Sequence, residues 1–563
     1  MRKVMNTTMK KYMKLALVLV GCSLVGCSEL DGFLDTSPTD TVSDKLVWSK
    51  PEYAELNVNS FYHIIDALGQ FDTAQTAVGI SEGMTDILKY GSTSANTHMW
   101  FANEMAYGSA PSASSASYYL GNWSWCYGKL TSLNQALSNL HQYKENFTDE
   151  EWNRYSAEVR FFRGFIYFEL MKRYKEIIIY DYDMTAIKAD MPLSSEKAGW
   201  DMVQGDLEYA AEYLPSITAS AYRVSKEAAD ALLSRAMLYA ERWDVAAQAA
   251  KRVIDSEIFS LTEDYKSAWS KTRKEGNTES ILEYEYNREG VTHNFDDNFT
   301  PGGDPGRVLG ALGNPTQEMV ESYELAGGKG DYPDWSAWHT GKAVSEVPPF
   351  DQLEPRFAAT ILYNGSEWKG RTIEPYDGGV DGYMEWRVKP INEGKTVTGY
   401  FLRKLVDENH DLSAYSRSTQ PWIAIRYAEV LLNFAEAAAK GSDGLLKKEA
   451  LGALNQVRER VGLKKLNVSG DALKEAIYRE RKVELAYEGQ YYWDMRRLKK
   501  AEKEFSNYRV HGLRVDKDGD SFTYTYIDCD GQDRYFPAKL YRVPLPQDEL
   551  DGNSAVDQYP EWM

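Results

Sequence analysis

Apolar side chains recur along this chain in blocks of helical period, separated by long polar, turn-rich stretches. In residues 155–174, Val159, Phe162, Ile166 and Leu170 fall on one stripe, while Arg160, Arg163 and Lys172 lie off it, which predicts an amphipathic helix. Ser225 opens a second block, its hydroxyl placed to cap the first turn, with Ala229, Leu232, Leu233, Ala236 and Tyr239 as the apolar face. A turn at Trp243-Asp244 leads into a helix over 245–254 that is rich in alanine. Residues 423–440 and 447–461 read as another helix pair. Residues 471–489 and 491–500 read as a further one, with Gly489 ending its first member. The segment 123–143 is expected to pair with 155–174, placing Trp123, Trp125 and Trp243 in the core. Alanine at contact positions of paired helices is how tetratricopeptide-type repeats pack, but the irregular spacing excludes a plain array of ~34-residue units. Turn signals crowd residues 92–117, 300–315 and 327–399, and long loops on a rigid scaffold are where binding residues concentrate. The expected fold is mainly α, with a loop-rich, irregular face and a few short strands.

Composition narrows the function. A 43% hydrophobic and 26% charged chain is that of a globular protein, and a net charge of −20 argues against a nucleic-acid binder, which needs cations facing phosphates. The 39 Tyr, 19 Phe and 15 Trp point to a large core plus some flat aromatic binding surface. Cys126 and Cys529 are the only cysteines after Cys27; they could pair, but one bridge does not staple a chain of this length.

At the N-terminus, Lys10, Lys11 and Lys14 precede the apolar run from Leu15 to Val20, too short to span a bilayer of about 30 Å. Leu24-Val25-Gly26-Cys27 resembles the bacterial lipoprotein signal, which implies that residues 1–26 are removed and that the Cys27 thiol carries the lipid anchor. Residues 27–563 are then expected to form one domain, with a variable segment at about 260–400.

A series of motifs runs through the mature chain: Glu158-Val159-Arg160-Phe161-Phe162-Arg163, Tyr427-Ala428-Glu429-Val430-Leu431-Leu432, Leu454-Asn455-Gln456-Val457-Arg458, Glu480-Arg481-Lys482-Val483-Glu484-Leu485-Ala486-Tyr487-Glu488-Gly489, Trp493-Asp494-Met495-Arg496-Arg497 and Arg542-Val543-Pro544-Leu545-Pro546. Together they resemble the SusD/RagB family of surface nutrient-binding lipoproteins, with Tyr491, Tyr559 and Glu561 departing from the usual residues. The resemblance implies a lipoprotein on the cell surface of a Gram-negative outer membrane. It would capture an oligosaccharide or polysaccharide and deliver it to a SusC-like TonB-dependent transporter. A lid or scaffold without sugar affinity, or capture of peptide or glycoprotein cargo, are the alternatives. The motifs themselves read as scaffold, with Arg481, Glu484 and Glu488 forming partly buried ion pairs that fix helix register.

Sugar binding needs ring faces for the C–H surfaces of the sugar and polar groups at their edges. Two stretches offer both: Asp86, Tyr90, Asn96, Trp100 and Phe101 in the first, and Asn298, Trp335 and Trp338 in the second. No catalytic residue is nominated. Neither a Gly-x-Ser-x-Gly nor a His-Glu-x-x-His string occurs, and the seven histidines are scattered, so no metal site or cofactor is expected. Asp516, Asp518 and Asp520 are spaced like the start of an EF-hand, but Ile527 stands where the bidentate Glu belongs. The alternating Phe522-Thr523-Tyr524-Thr525-Tyr526 favours a hairpin there over a structural Ca²⁺.

Overall fold

The computed structural model describes residues 43–71, 78–91, 97–109, 111–116, 120–217, 223–386 and 394–563. Cys27 and its signal lie outside these. Among the described residues eight long helices make the scaffold: α1 (Trp123–Gln142), α2 (Asp149–Tyr174), α3 (Glu196–Tyr213), α4 (Lys226–Tyr239), α5 (Trp243–Asp255), α6 (Tyr427–Lys440), α7 (Gly444–Arg460) and α8 (Gly470–Glu484). From α1 to α7 each packs on the next, and α8 closes against α6 and α7. Local chemistry sets the starts. Thr148 and Glu151 form a reciprocal capping box ahead of α2, and the Ser225 hydroxyl accepts from the Ala228 N–H at 3.2 Å ahead of α4. Acidic residues fill the first turn of α2, and Lys172 and Arg173 its last, matching the helix dipole. Helices α4 and α5 pack on each other, and Ala228, Ala229, Ala231 and Ala236 of α4 and Ala246, Ala247, Ala249 and Ala250 of α5 are all buried, small side chains that suit close helix packing.

Two expectations are corrected. Helix α3 fills a place the hydrophobic pattern left empty. It carries Gly199 and Gly205, which weaken helix propensity, yet a Cβ on Gly199 would lie 2.2 Å from the Met171 sulfur of α2, so glycine is what lets α3 dock. And residues 422–426 form a strand, not the first turn of a helix. Trp422–Arg426 pairs antiparallel with Ser280–Tyr284, because Ile423 and Ile425 are β-branched and nearly every position there is buried.

The remaining strands are short antiparallel pairs. The longest joins His511–Asp518 to Ser521–Asp528 through Gly519-Asp520, with Gly519 at φ +57°. The three aspartates thus sit around a hairpin turn, and no group of metal-binding side chains occurs among the described residues. Cys126 and Cys529 are both free and buried, so they do not pair. Among the described residues no helix is long and apolar enough to cross a membrane.

Charges that the sequence places on one helix are buried, but with other partners. Arg481 does not meet Glu484 or Glu488; it donates to Asp494 at 2.8 Å and to Asn433 at 2.7 Å. Glu484 is held instead by Arg460 at 2.5 Å, Arg426 at 2.6 Å and Arg356 at 2.9 Å. Glu488 pairs with Arg426 and Lys404. Arg356 extends the network to Glu354 and Glu480, and Arg458 links Glu480 to Glu324. These contacts tie α7 and α8 to the loop-rich segment that carries Glu279, Glu324 and Arg356.

Candidate functional site

The nominated residues divide by burial. Tyr90 has no exposed surface; its strand, Leu88–Tyr90, pairs with Gly313–Pro315, and its ring lies against Gly83. Trp335 and Trp338 are each 5% exposed. Their centroids are 5.7 Å apart, and Trp335 continues into Phe350, which stacks on Phe357. They were expected as sugar platforms, but they are core: turn residues surround them in sequence, while apolar rings surround them in space. Asn298 is buried on the short helix Phe295–Phe299. Asp86 is an anchor, its carboxylate 2.6 Å from the Lys482 ammonium. Asn96 lies outside the described residues. Trp100 and Phe101 fall within the helix Thr97–Ala106, but their side chains lie outside the described residues.

At the far end of that helix the fold gathers a different set of rings. Lys89 is fully buried and donates to Asp530 at 2.8 Å, to Tyr107 Oη at 3.0 Å and to Asn103 at 3.2 Å. Its ammonium also lies 4.0 Å from the Trp386 ring centroid. Tyr107 Oη donates to Asp530 at 2.9 Å, and the Tyr107 and Trp386 rings meet edge to face at 6.1 Å. Arg534 closes the other side of Asp530 at 2.7 Å. Next to it Tyr535 is 52% exposed and is tied to the Thr97–Ala106 helix by its N–H to Ala106 O at 2.9 Å. Glycines make room: a Cβ on Gly531 would lie 2.9 Å from Trp386, and one on Gly108, at φ +88°, would lie 2.7 Å from Tyr535.

Burial pushes the Lys89 ammonium down to about 8, with Asp530 opposing the fall. Burial alone would raise the Asp530 carboxyl, but Arg534 and Lys89 outweigh it and hold it well below the usual carboxylate range. A permanently ionised, doubly paired carboxylate cannot serve as a general acid; here it fixes Lys89 and Tyr107 in place. Glu385, next to Trp386 in the chain, and Gln532 and Asp533, just before Arg534 and Tyr535, are exposed polar groups, with Asp533 held by Arg509 at 2.9 Å. The arrangement is a rigid aromatic face with a polar rim, suited to a flat ligand bearing both C–H and O–H groups. Trp386 and Tyr535 escaped the reading of the sequence, because only the folded chain brings them to Tyr107. A cleft of about 700 Å³ between Tyr62, Arg223 and Tyr284 is less well provided: the Arg223 guanidinium is already held by Glu158 and Glu55, and Arg273 donates to the Ser280 and Ile281 carbonyls.

Comparison with known proteins agrees with this architecture. A family model described as the SusD family matches residues 278–562, and one described as starch-binding associating with outer membrane matches residues 33–238. A SusD-like protein of Formosa agariphila is 25% identical over 562 residues, covering 97% of this chain and 98% of its own. Another, from Bacteroides ovatus, is 22% identical and covers 98% and 96%. The crystal structure of a SusD-like protein from Bacteroides fragilis superposes with a TM-score of 0.74 at 25% identity, over 93% of this chain and 99% of that one. A second structure from that organism, titled a SusD-like carbohydrate-binding protein, gives 0.71 at 21% identity, over 91% and 100%. Matched from its first helices to its last turn, the chain belongs to the SusD/RagB family.

Proposed function

We propose that this chain is a surface lipoprotein, anchored through Cys27, that captures a glycan on the face formed by Tyr107, Trp386 and Tyr535 and passes it to a SusC-like TonB-dependent transporter in the outer membrane. The observation that carries the reading is the fixed ring cluster with its polar rim. A pyranose lays its C–H face on such rings, burying apolar area, while its hydroxyls reach the groups at the edge. Family membership supports the carbohydrate class, since one relative of the same fold is titled a carbohydrate-binding protein and one matching family is described as starch-binding at the outer membrane. Binding without cleavage fits the paired state of Asp530, the carboxylate that Tyr107 donates to.

The test is affinity electrophoresis of residues 28–563 through gels containing a panel of plant, algal and host polysaccharides. At least one polysaccharide is expected to retard the protein without being shortened. If none does, while the chain still co-purifies with an outer-membrane barrel, capture by this face is wrong and a lid without sugar affinity takes its place.

A further inference from the structure

A second cleft, of about 640 Å³, opens where the end of α2 and the start of α3 meet the segment 493–499. The chain is acidic overall, yet this wall is cationic. Several of its cations are already paired: Lys172 with Glu169 at 2.7 Å, and Lys197 and Arg242 with Asp201 at 2.7 and 2.6 Å. Three others are not so placed. Arg496 is 4% exposed, and none of its three guanidinium nitrogens meets an acceptor among the described residues. Its guanidinium lies over the Trp493 and Tyr492 rings, at 4.7 and 5.6 Å, which accept none of its in-plane N–H groups. The Trp493 Nε1 donor, in the same wall, is likewise without an acceptor. Lys499 pairs with no carboxylate among the described residues and sits over Tyr541 at 4.1 Å. Lys175 has, as its carboxylate partner among the described residues, Glu196 at 3.9 Å.

A buried guanidinium without an acceptor is costly, and an oxoanion is the ligand whose geometry fills its planar donors. We infer that this cleft binds an oxoanion group, the carboxylate or sulfate ester of an acidic saccharide, through Lys175, Lys499 and Arg496. The volume exceeds what a free ion occupies and falls within the range of small-ligand sites, so it admits the sugar ring that carries the charge. Lys175 is partly exposed and Lys499 exposed, and they meet the anion first. The Arg496 nitrogens are sealed from solvent and engage after a side-chain shift in the wall. Burial, then Lys175 and Arg496, push the Lys499 ammonium down to about 8, the repulsion that a bound anion relieves. Glu196 and Glu241 line the same cleft, and displacing Glu196 from Lys175 is part of the binding.

The experiment is calorimetric titration of residues 28–563 at constant ionic strength with glucuronate, glucose 6-sulfate, inorganic sulfate and, as the neutral control, glucose. An acidic sugar binding at least as tightly as sulfate, with glucose silent, is expected. Lys499→Gln, at an exposed position, and Lys175→Gln, at a partly exposed one, should each weaken it at least tenfold with an unchanged melting temperature. Tyr535→Ala, on the separate aromatic face, should leave it intact. Failure of both acidic sugars to match sulfate, or full binding by both lysine variants, overturns the inference.

Discussion

Replacing Glu484 with glutamine lowers the unfolding free energy by about 3–5 kcal/mol, the usual loss when one partner of a buried charge network is removed. Among the described residues no other single carboxylate meets as many guanidinium groups: Arg356, Arg426 and Arg460 all converge on it, and none of the four is more than 4% exposed at its side chain. The glutamine keeps the volume but leaves three guanidinium groups facing a neutral amide. The same residue governs acid stability. Burial alone would raise its carboxyl, but Arg460, Arg426 and Arg356 outweigh burial and hold it well below the ordinary glutamate value of 4.5. A carboxyl depressed in the folded state contributes its stabilisation in full above that ordinary value and loses it as pH falls through the folded one. Urea unfolding of the wild-type chain should therefore weaken steeply below 4.5, and Glu484→Gln should show a shallower pH dependence there. A variant with a wild-type urea midpoint at neutral pH would mean that the network contributes little.

How much of this was legible depends on the range of the contacts involved. Helices α2 and α4 are visible because Val159, Phe162 and Ile166, or Leu232 and Leu233, recur at helical spacing and Ser225 marks a start; these are local signals. Helix α3 is not, since the close approach of Gly199 to Met171 is a property of two packed backbones. That Arg481 and Glu484 would be buried among charges could be read from their place on an amphipathic helix. Their partners could not, because Arg356 and Arg426 arrive from 128 and 58 residues away. The candidate site shows the same divide. Trp335 and Trp338 stand among turn residues and read as exposed, but they pack on each other and Trp335 on Phe350, and both are buried. Trp386 and Tyr535 carry no local sign of function; a bare Gly531 and one backbone bond to Ala106 bring them to Tyr107.

Truncating the rings of that face should separate binding from folding. Tyr535→Ala is expected to weaken the bound glycan about tenfold, about 1.4 kcal/mol. Its melting temperature should not change, because half the ring already faces solvent. Trp386→Ala should cost more, about 2 kcal/mol or roughly thirtyfold. It removes the larger ring and the aromatic face over Lys89, so a modest loss of stability accompanies it. Titration calorimetry with the polysaccharide that retards the protein, beside thermal unfolding of each variant, reads both quantities. Unaltered affinity in both variants would remove these rings from the site.

The most direct measurement is a crystal structure of residues 28–563 with an oligosaccharide of that polysaccharide bound. It should show at least one sugar ring lying flat within about 4 Å of Trp386 or Tyr535, its hydroxyls turned toward Glu385, Gln532 or Asp533 and its glycosidic bonds intact. A saccharide bound elsewhere on the molecule, with Tyr107, Trp386 and Tyr535 all bare, would contradict it.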